Sequence, residues 1–317
     1  MRILITGVHG FVGNNLVKAL STKHTLFGLD ILNPARTGVV FTFNWEDLES
    51  GQLPDVDAII HLAGKAHDTK NQSDAEVYFK INFDLTIKIF DFFCFKSGIK
   101  KFIFFSTAKA AADTVESVLT EDVIPSPVGP YGKSKIAAEN YILSCMRTRP
   151  YQFENRGVYI FRPCMIHGPG NKGNLNLLYN VVKKGIPWPL GAYENRRTFT
   201  SIENICFAVN GVLTKDVPSG IYNMGDDEAL STNELIEEIC KSLGKKAHIW
   251  KLPKGLMNGV AKIGDVLHLP LNSERLRKLT ENYISSNAKI KAALGVEKMP
   301  VDARTGLART LESFNNH

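Results

Sequence analysis

A tyrosine and a lysine four residues apart on a helix point to one place, and the chain carries such a pair in Tyr131-Gly132-Lys133-Ser134-Lys135. The residues that follow, Ile136, Ala137, Ala138, Tyr141 and Ile142, have helical spacing. A free phenol, with a pKa of about 10, is too weakly acidic to serve as a base at neutral pH. A nearby ammonium favours phenolate, so the pair can become an acid/base. A bare Tyr-x-x-x-Lys is common by chance, and this one gains weight from its neighbours. The apolar run Phe102-Ile103-Phe104-Phe105 ends in Ser106-Thr107, a hydroxyl pair at the carboxyl end of an expected strand, where open α/β sheets bind ligands. Thr107 would hold a substrate oxygen while Tyr131 moves its proton.

The second constellation lies at the amino end. After Ile3 to Thr6 comes Gly7-Val8-His9-Gly10-Phe11-Val12-Gly13, opening a helix of Asn14, Leu16, Val17, Ala19 and Leu20. In this pattern Gly7 allows a tight turn, Gly10 lets backbone approach a pyrophosphate and Gly13 allows close helix-strand packing; the helix start offers free N–H groups to the anion. Such a loop alone is weak evidence, but its position at the head of a βαβ unit strengthens it. Asp30 ends the next strand, where a carboxylate accepts from ribose hydroxyls and repels a 2′-phosphate. NAD is therefore the expected cofactor, with Arg36 near enough in sequence to keep NADP open. An oxidised nicotinamide beside Tyr131 would favour phenolate further. His9 reads as a loop residue whose backbone matters more than its ring; His67, after the fourth strand, is within sequence reach of the site.

The elements that must position these groups are short apolar runs at Ile3 to Thr6, Thr25 to Asp30, Val39 to Phe43, Ala58 to Leu62, Phe102 to Ser106 and Val158 to Phe161, with helix-length stretches between several of them. That alternation predicts right-handed crossovers and a doubly wound parallel sheet, a Rossmann fold, over residues 1–163. Beyond it, helices at Leu175 to Lys184, Ile202 to Thr214 and Thr232 to Leu243 alternate with turn-rich segments. Residues 164–317 read as a smaller α/β substrate-binding lobe, with room for crossings back to the first domain. The 317 residues carry a scattered surplus of +6, which does not imply nucleic acid but suits an anionic substrate. Five cysteines without Cys-x-x-Cys spacing suit a reducing compartment, and no metal is expected. No apolar run reaches membrane-span length and no secretory leader is legible, so a soluble cytoplasmic protein is expected.

Taken together, the chain resembles the extended short-chain dehydrogenase/reductase family, in its branch of NAD-dependent nucleotide-sugar epimerases and dehydratases. The likeness rests on Gly7-x-x-Gly10-x-x-Gly13, Asp30, His61-Leu62-Ala63-Gly64, Asn82 with Thr86, Ser106-Thr107, Tyr131-x-x-x-Lys135, Arg162-Pro163 and His167-Gly168-Pro169-Gly170, and covers nearly the whole length. It implies that Phe11 and Val12 close over the pyrophosphate, Asn44 and Trp45 flank adenine, Leu62, Ala63, Gly64 and Pro163 line the cofactor, and Asn82 supports the catalytic helix. Lys135 would hold the nicotinamide ribose. On the substrate side it assigns Lys172 to Leu175, including Asn174, to a nucleotide diphosphate, together with Arg197 and a further arginine for which Arg275 is the nearest candidate. An arginine fork suits diphosphate oxygens, and Asn174 at a helix start would donate or cap. A UDP-sugar substrate and a homodimer follow from the same resemblance.

Departures narrow the chemistry. Related 4,6-dehydratases carry Asp-Glu after the catalytic threonine, whereas Thr107 is followed by Ala108-Lys109. Met165 and His167 depart from the asparagine and tyrosine of many 4-epimerases. The runs Gly168 to Asn174, Pro189 to Gly191 and Asn195 to Arg197 resemble surface-polysaccharide enzymes acting at C4 of amino sugars, both 4-epimerases of UDP-N-acetylhexosamines and reductases of 4-keto sugars. A catalytically idle, dinucleotide-sensing protein of the same fold is the alternative of a different class; such proteins often lose the tyrosine or the lysine, and both are present here.

Overall fold

A computed structural model describes residues 1–66, 74–171, 173–267 and 271–315. Its large sheet is built from β1 (Arg2–Thr6), β2 (Thr25–Leu29), β3 (Thr42–Phe43), β4 (Ala58–His61), β5 (Lys101–Phe105), β7 (Gly157–Pro163) and β10 (Gly220–Met224). Their order is β10-β7-β5-β4-β1-β2-β3, with every pair parallel. The chain winds outward from β1 to β3, then returns to place β4 on the other side of β1. The carboxyl ends of β1 and β4 thus border a topological switch point, where such sheets leave a ligand crevice.

Strand residues alternate between two cores, as a period of two requires. Ile3, Ile5, Ile103, Phe105 and Phe161 pack on one face with α1 (Phe11–Leu20) and α8 (Ile202–Thr214). Leu4, Phe102, Phe104 and Ile160 pack on the other with α2 (Trp45–Glu49), α4 (Leu85–Phe95) and α6 (Pro130–Thr148). Ahead of α4, α3 (Ala75–Phe79) passes into a single π-helical turn at Lys80–Asp84. The short α5 (Ala108–Ala111) follows β5 directly, and β6 (Val118–Leu119) pairs with the late β12 (Ile284–Ser285).

A second core joins α7 (Asn174–Lys183), α9 (Thr232–Ser242), α10 (Lys254–Leu267), α11 (Ser273–Thr280) and α13 (Ala303–Asn315) around Leu175, Tyr179, Trp188, Ile239 and Leu311. Beside it lies a small sheet of β8 (Met165–His167), β9 (Arg197–Ser201) and β11 (Ala229–Leu230) in the order β11-β9-β8. After residue 163 the chain crosses back to the large sheet: α8 and α12 (Ala288–Leu294) pack on it and β10 extends it. β10 was not marked by an apolar run, because Gly220-Ile221-Tyr222-Asn223-Met224 mixes residue types. The expected strand at Val39 to Phe43 shrinks to two residues at the sheet edge, where Val40 and Phe41 are exposed. Among the described residues no helix is long and apolar enough to cross a membrane.

Candidate active site

The glycine loop lies at the carboxyl end of β1. Gly7 turns at φ +68°, and a Cβ on Gly13 would stand 2.5 Å from the Val8 carbonyl oxygen and 2.6 Å from that of Gly7, so only glycine lets α1 sit this close. Gly10 caps α1 with no side-chain acceptor for the helix's first N–H groups, the condition for anion binding at a helix start. Asp30 lies beside the loop: one carboxylate oxygen accepts from the His9 backbone N–H at 3.0 Å and the other from Ile31 N–H at 2.8 Å. Asp30, Ile31, Asn44, Trp45 and Glu46 line a shallow hollow of about 320 Å3. Asn44 spends its side-chain oxygen capping α2, accepting from Glu46 and Asp47 N–H. Arg36 donates to the Asn14 carbonyl at 3.3 Å, and Phe11 packs towards the Gly168–Gly170 turn.

From the end of β4 a hydrogen-bond chain leads inward. Thr6 Oγ1 meets His61 Nδ1 at 2.7 Å and accepts from Leu62 and Ala63 N–H; His61 Nε2 meets Thr86 Oγ1 at 2.9 Å. Full burial, with Lys135 adding to it, holds His61 well below the usual histidine range and therefore uncharged. Asn82, in the π-helical turn, accepts from Lys65 N–H at 2.7 Å and donates to Ser134 Oγ of α6 at 3.0 Å. That turn thus ties the loop after β4 to the helix carrying Tyr131 and Lys135.

Proline at the first position of α6 suits a helix start, and Tyr131 is its second residue. Tyr131 lies near enough to Thr107, the residue that caps α5 at the end of β5, for Thr107 to act on its ionisation. One turn along α6, Lys135 is buried, donates to the Phe105 carbonyl at 2.8 Å and lies 4.8 Å from the Phe104 ring centre. Burial lowers the Lys135 pKa to about 8 against an upward pull from Glu139. Burial likewise raises Tyr131 to about 12, with the Thr107 hydrogen bond pulling down and Tyr78 pushing up. Burial thus works against phenolate at Tyr131, and Lys135 is engaged by the Phe105 carbonyl.

Glu139, a further turn along, was missed from sequence. It accepts a short hydrogen bond from Ser106 and holds Arg162 of β7 through Nε at 3.0 Å and Nη2 at 2.5 Å, all three side chains being buried. An acidic residue four past Lys135 on a face otherwise buried was the available signal.

Across the cleft, Lys109 lies 4.4 Å from the Tyr283 ring centre and 3.9 Å from Glu281, and Arg197 donates to the Lys278 carbonyl at 2.5 Å. Burial lowers the Lys109 pKa while Glu281 raises it, and Arg197 responds in the same way. Lys109, Arg197, Glu281 and Tyr283 thus form one cluster joining the end of β5 to the second lobe. Asn174 is exposed at the first position of α7; the cap is Gly173, so Asn174 does not cap as expected. Leu175 is buried in the second core, leaving its backbone rather than its side chain for a ligand. Arg275 is exposed on α11, well before the Lys278 carbonyl that meets Arg197. His67 and Lys172 lie outside the described residues.

The family model described as "NAD dependent epimerase/dehydratase family" matches residues 3–225. The chain belongs to this family. It is 29% identical to UDP-glucose 4-epimerase of Vibrio cholerae, covering 79% of this chain and 78% of that one. It is 26% identical to N-acetyl-alpha-D-glucosaminyl-diphospho-ditrans,octacis-undecaprenol 4-epimerase of Escherichia coli O157:H7, covering 98% and 94%. Among solved structures, UDP-glucuronic acid 4-epimerase from Bacillus cereus in complex with NAD superposes with a TM-score of 0.75 at 22% identity over 100% of this chain and 99% of that one. The cofactor of this NAD-dependent epimerase/dehydratase is NAD, and the uncapped helix start and the close approach at Gly13 suit its pyrophosphate.

Proposed function

We propose that the chain acts at C4 of a UDP-hexose or UDP-N-acetylhexosamine, as a 4-epimerase or a 4-keto-sugar reductase of surface-polysaccharide synthesis. The single observation that carries this reading is the placement of Tyr131 and buried Lys135 one turn apart at the start of α6, beside Thr107 at the carboxyl end of β5.

In this reading the N–H groups of the Gly7, Gly10, Phe11, Val12 and Gly13 loop hold the pyrophosphate, Asp30 the adenosine ribose, and Asn44 and Trp45 the adenine. Leu62, Ala63, Gly64, Asn82 and Pro163 line the nicotinamide half, where Lys135 binds the ribose. NAD, when bound, supplies the hydride acceptor and donor and a positive charge that favours phenolate. Thr107 orients the C4 oxygen, and Tyr131 takes the proton from a C4 hydroxyl or returns it to a C4 ketone. Arg197, Asn174, the Leu175 backbone and Arg275 hold the diphosphate. Ala108 and Lys109 offer no carboxylate where a 4,6-dehydratase needs one, which supports chemistry confined to C4. The protein works as a cytoplasmic homodimer through α4 and α6, with residues 1–163 as the NAD domain and 164–317 mainly as the substrate lobe.

Incubation with UDP-N-acetylhexosamines and with 4-keto-6-deoxy derivatives separates the two activities. Inversion at C4 without net change in nicotinamide absorbance marks the epimerase; stoichiometric consumption of NADH marks the reductase. Turnover of neither class defeats the reading.

A further inference from the structure

Tyr131 is the second residue of α6, so its place beside Thr107 is set by how the start of that helix is held. The helix is poorly equipped to hold itself there. Its cap is Gly129, which makes no side-chain bond to the helix, Pro130 has no N–H, and no acid stands in the first turn. The acceptor comes from another segment. Asp113, two residues beyond α5, accepts from Val128 N–H at 2.5 Å and from Gly129 N–H at 3.3 Å, both through Oδ2. A carboxylate in that position also faces the positive end of the helix dipole.

Further contacts close the same junction. Lys109 Nζ donates to the Asp113 carbonyl at 2.5 Å, so Asp113 is gripped through its backbone as well as its side chain. Lys109 N–H in turn donates to Thr107 Oγ1 at 3.3 Å. A Cβ on Gly132 would stand 2.5 Å from the Lys109 carbonyl oxygen, so glycine beside Tyr131 is what lets α5 come this close. Ser126 N–H donates to the Ala111 carbonyl at 2.7 Å, three residues short of the cap. The segment between Asp113 and Val128 is fastened elsewhere: β6 pairs with β12, and Glu121 accepts from Asn223 N–H of β10 at 2.7 Å. Those anchors hold the loop to β10 and β12, not to α6. Contacts thus run from Thr107 through Lys109 and Asp113 to Gly129, and Asp113 is the link that reaches the cap itself.

We infer that Asp113 is a positioning residue: its carboxylate fixes the first turn of α6 against α5 and so sets the spacing of Thr107 and Tyr131 at which a proton passes. This rests on the reading of Tyr131 as the acid/base. Asp113 acts through Tyr131 and needs no contact of its own with sugar or cofactor.

The test compares Asp113→Ala and Asp113→Asn with the wild-type full chain by amide hydrogen exchange, by NAD titration and by turnover. The sugar is UDP-N-acetylglucosamine or a UDP-4-keto-6-deoxy-N-acetylhexosamine, whichever the wild type turns over. Asparagine keeps an oxygen that accepts from the Val128 and Gly129 N–H groups, and alanine does not. In the alanine variant the amides of residues 128–135 should exchange about tenfold faster, while those of β1, β4 and β5 stay as slow as in the wild type. Its kcat should fall by about ten- to a hundredfold, with NAD affinity and KM for the sugar nucleotide little changed. Asparagine should restore most of the protection and most of kcat. Wild-type exchange over 128–135, or wild-type kcat, in the alanine variant overturns the inference. So does a loss of kcat in step with faster exchange across the sheet and weaker NAD binding, which would make Asp113 an ordinary support of the fold. Failure of asparagine to rescue does the same. Exchange is read without turnover: a wild type that accepts neither sugar defeats the C4 reading, and the exchange result still decides whether Asp113 holds α6.

Discussion

On the sheet side of the cleft, Arg162 and Glu139 meet at 2.5 Å with both side chains almost wholly buried; on the opposite side, Lys109 and Glu281 approach only to 3.9 Å, and a third of the lysine side chain is open to solvent. The first pair is surrounded by low dielectric and has a further hydrogen bond from Ser106, so its geometry is firmly held. The second is longer and partly open to solvent, so its geometry is less firmly held. A rigid ion pair fixes the elements it joins, whereas a soft one leaves its partners free to rearrange.

Replacing Tyr131 with Phe should give the largest effect, a loss of turnover of about 10²–10⁴-fold with NAD binding retained in fluorescence titration. Turnover unchanged by that substitution would remove the fixed side of the cleft from the chemistry. Next comes Arg162→Leu, which strands the Glu139 carboxylate in the core and should cost about 3–5 kcal/mol in urea unfolding. Pairing it with Glu139→Met should restore much of that stability; failure to do so would mean the pair acts by shape rather than by charge. Gly13→Ala drives a methyl into the Val8 and Gly7 carbonyls and should destabilise the fold by about 1–3 kcal/mol while weakening NAD binding. Glu139→Gln removes the group that pulls the Lys135 pKa up against burial, which together leave it at about 8. The lysine then deprotonates at lower pH, so the alkaline limb of kcat/KM should move to lower pH, a shift that a purely structural role for Glu139 does not produce. Smallest is Lys109→Ala, expected to change stability by less than about 1 kcal/mol yet to raise KM for the sugar nucleotide.

Legibility in the sequence followed contact distance. The loop from Gly7 to Gly13, the strand that leads to Thr107 and the Tyr131 and Lys135 pair are each local, set by a period or a short spacing, and the fold brings Thr107 near Tyr131 across 24 positions. Glu139 escaped notice because its partners arrive from elsewhere, Ser106 from just past the end of β5 and Arg162 from β7. The cluster of Lys109, Arg197, Glu281 and Tyr283 was legible only as isolated residues, since it is assembled from segments more than 170 positions apart. The same holds for β10, whose place in the large sheet depends on a crossing from the second lobe. The burial of Tyr131 and the Phe105 carbonyl that engages the Lys135 ammonium are likewise nothing a spacing reveals.

The π-helical turn at Lys80–Asp84 has a mechanical consequence. It admits one residue beyond the α-helical count, and so it works as a phase adjuster between two fixed objects. Downstream, Ile89, Phe90 and Phe93 are keyed into the core; upstream, Tyr78 stands 6.2 Å from the Tyr131 ring. Deleting a single residue within the turn would straighten it and rotate α3 by about 100° relative to α4. The core would keep its key, and Tyr78 would swing off the phenol it now crowds. Length in this segment is therefore held to the residue: composition can drift, but an insertion or deletion would uncouple the packing of the domain from the setting of Tyr131.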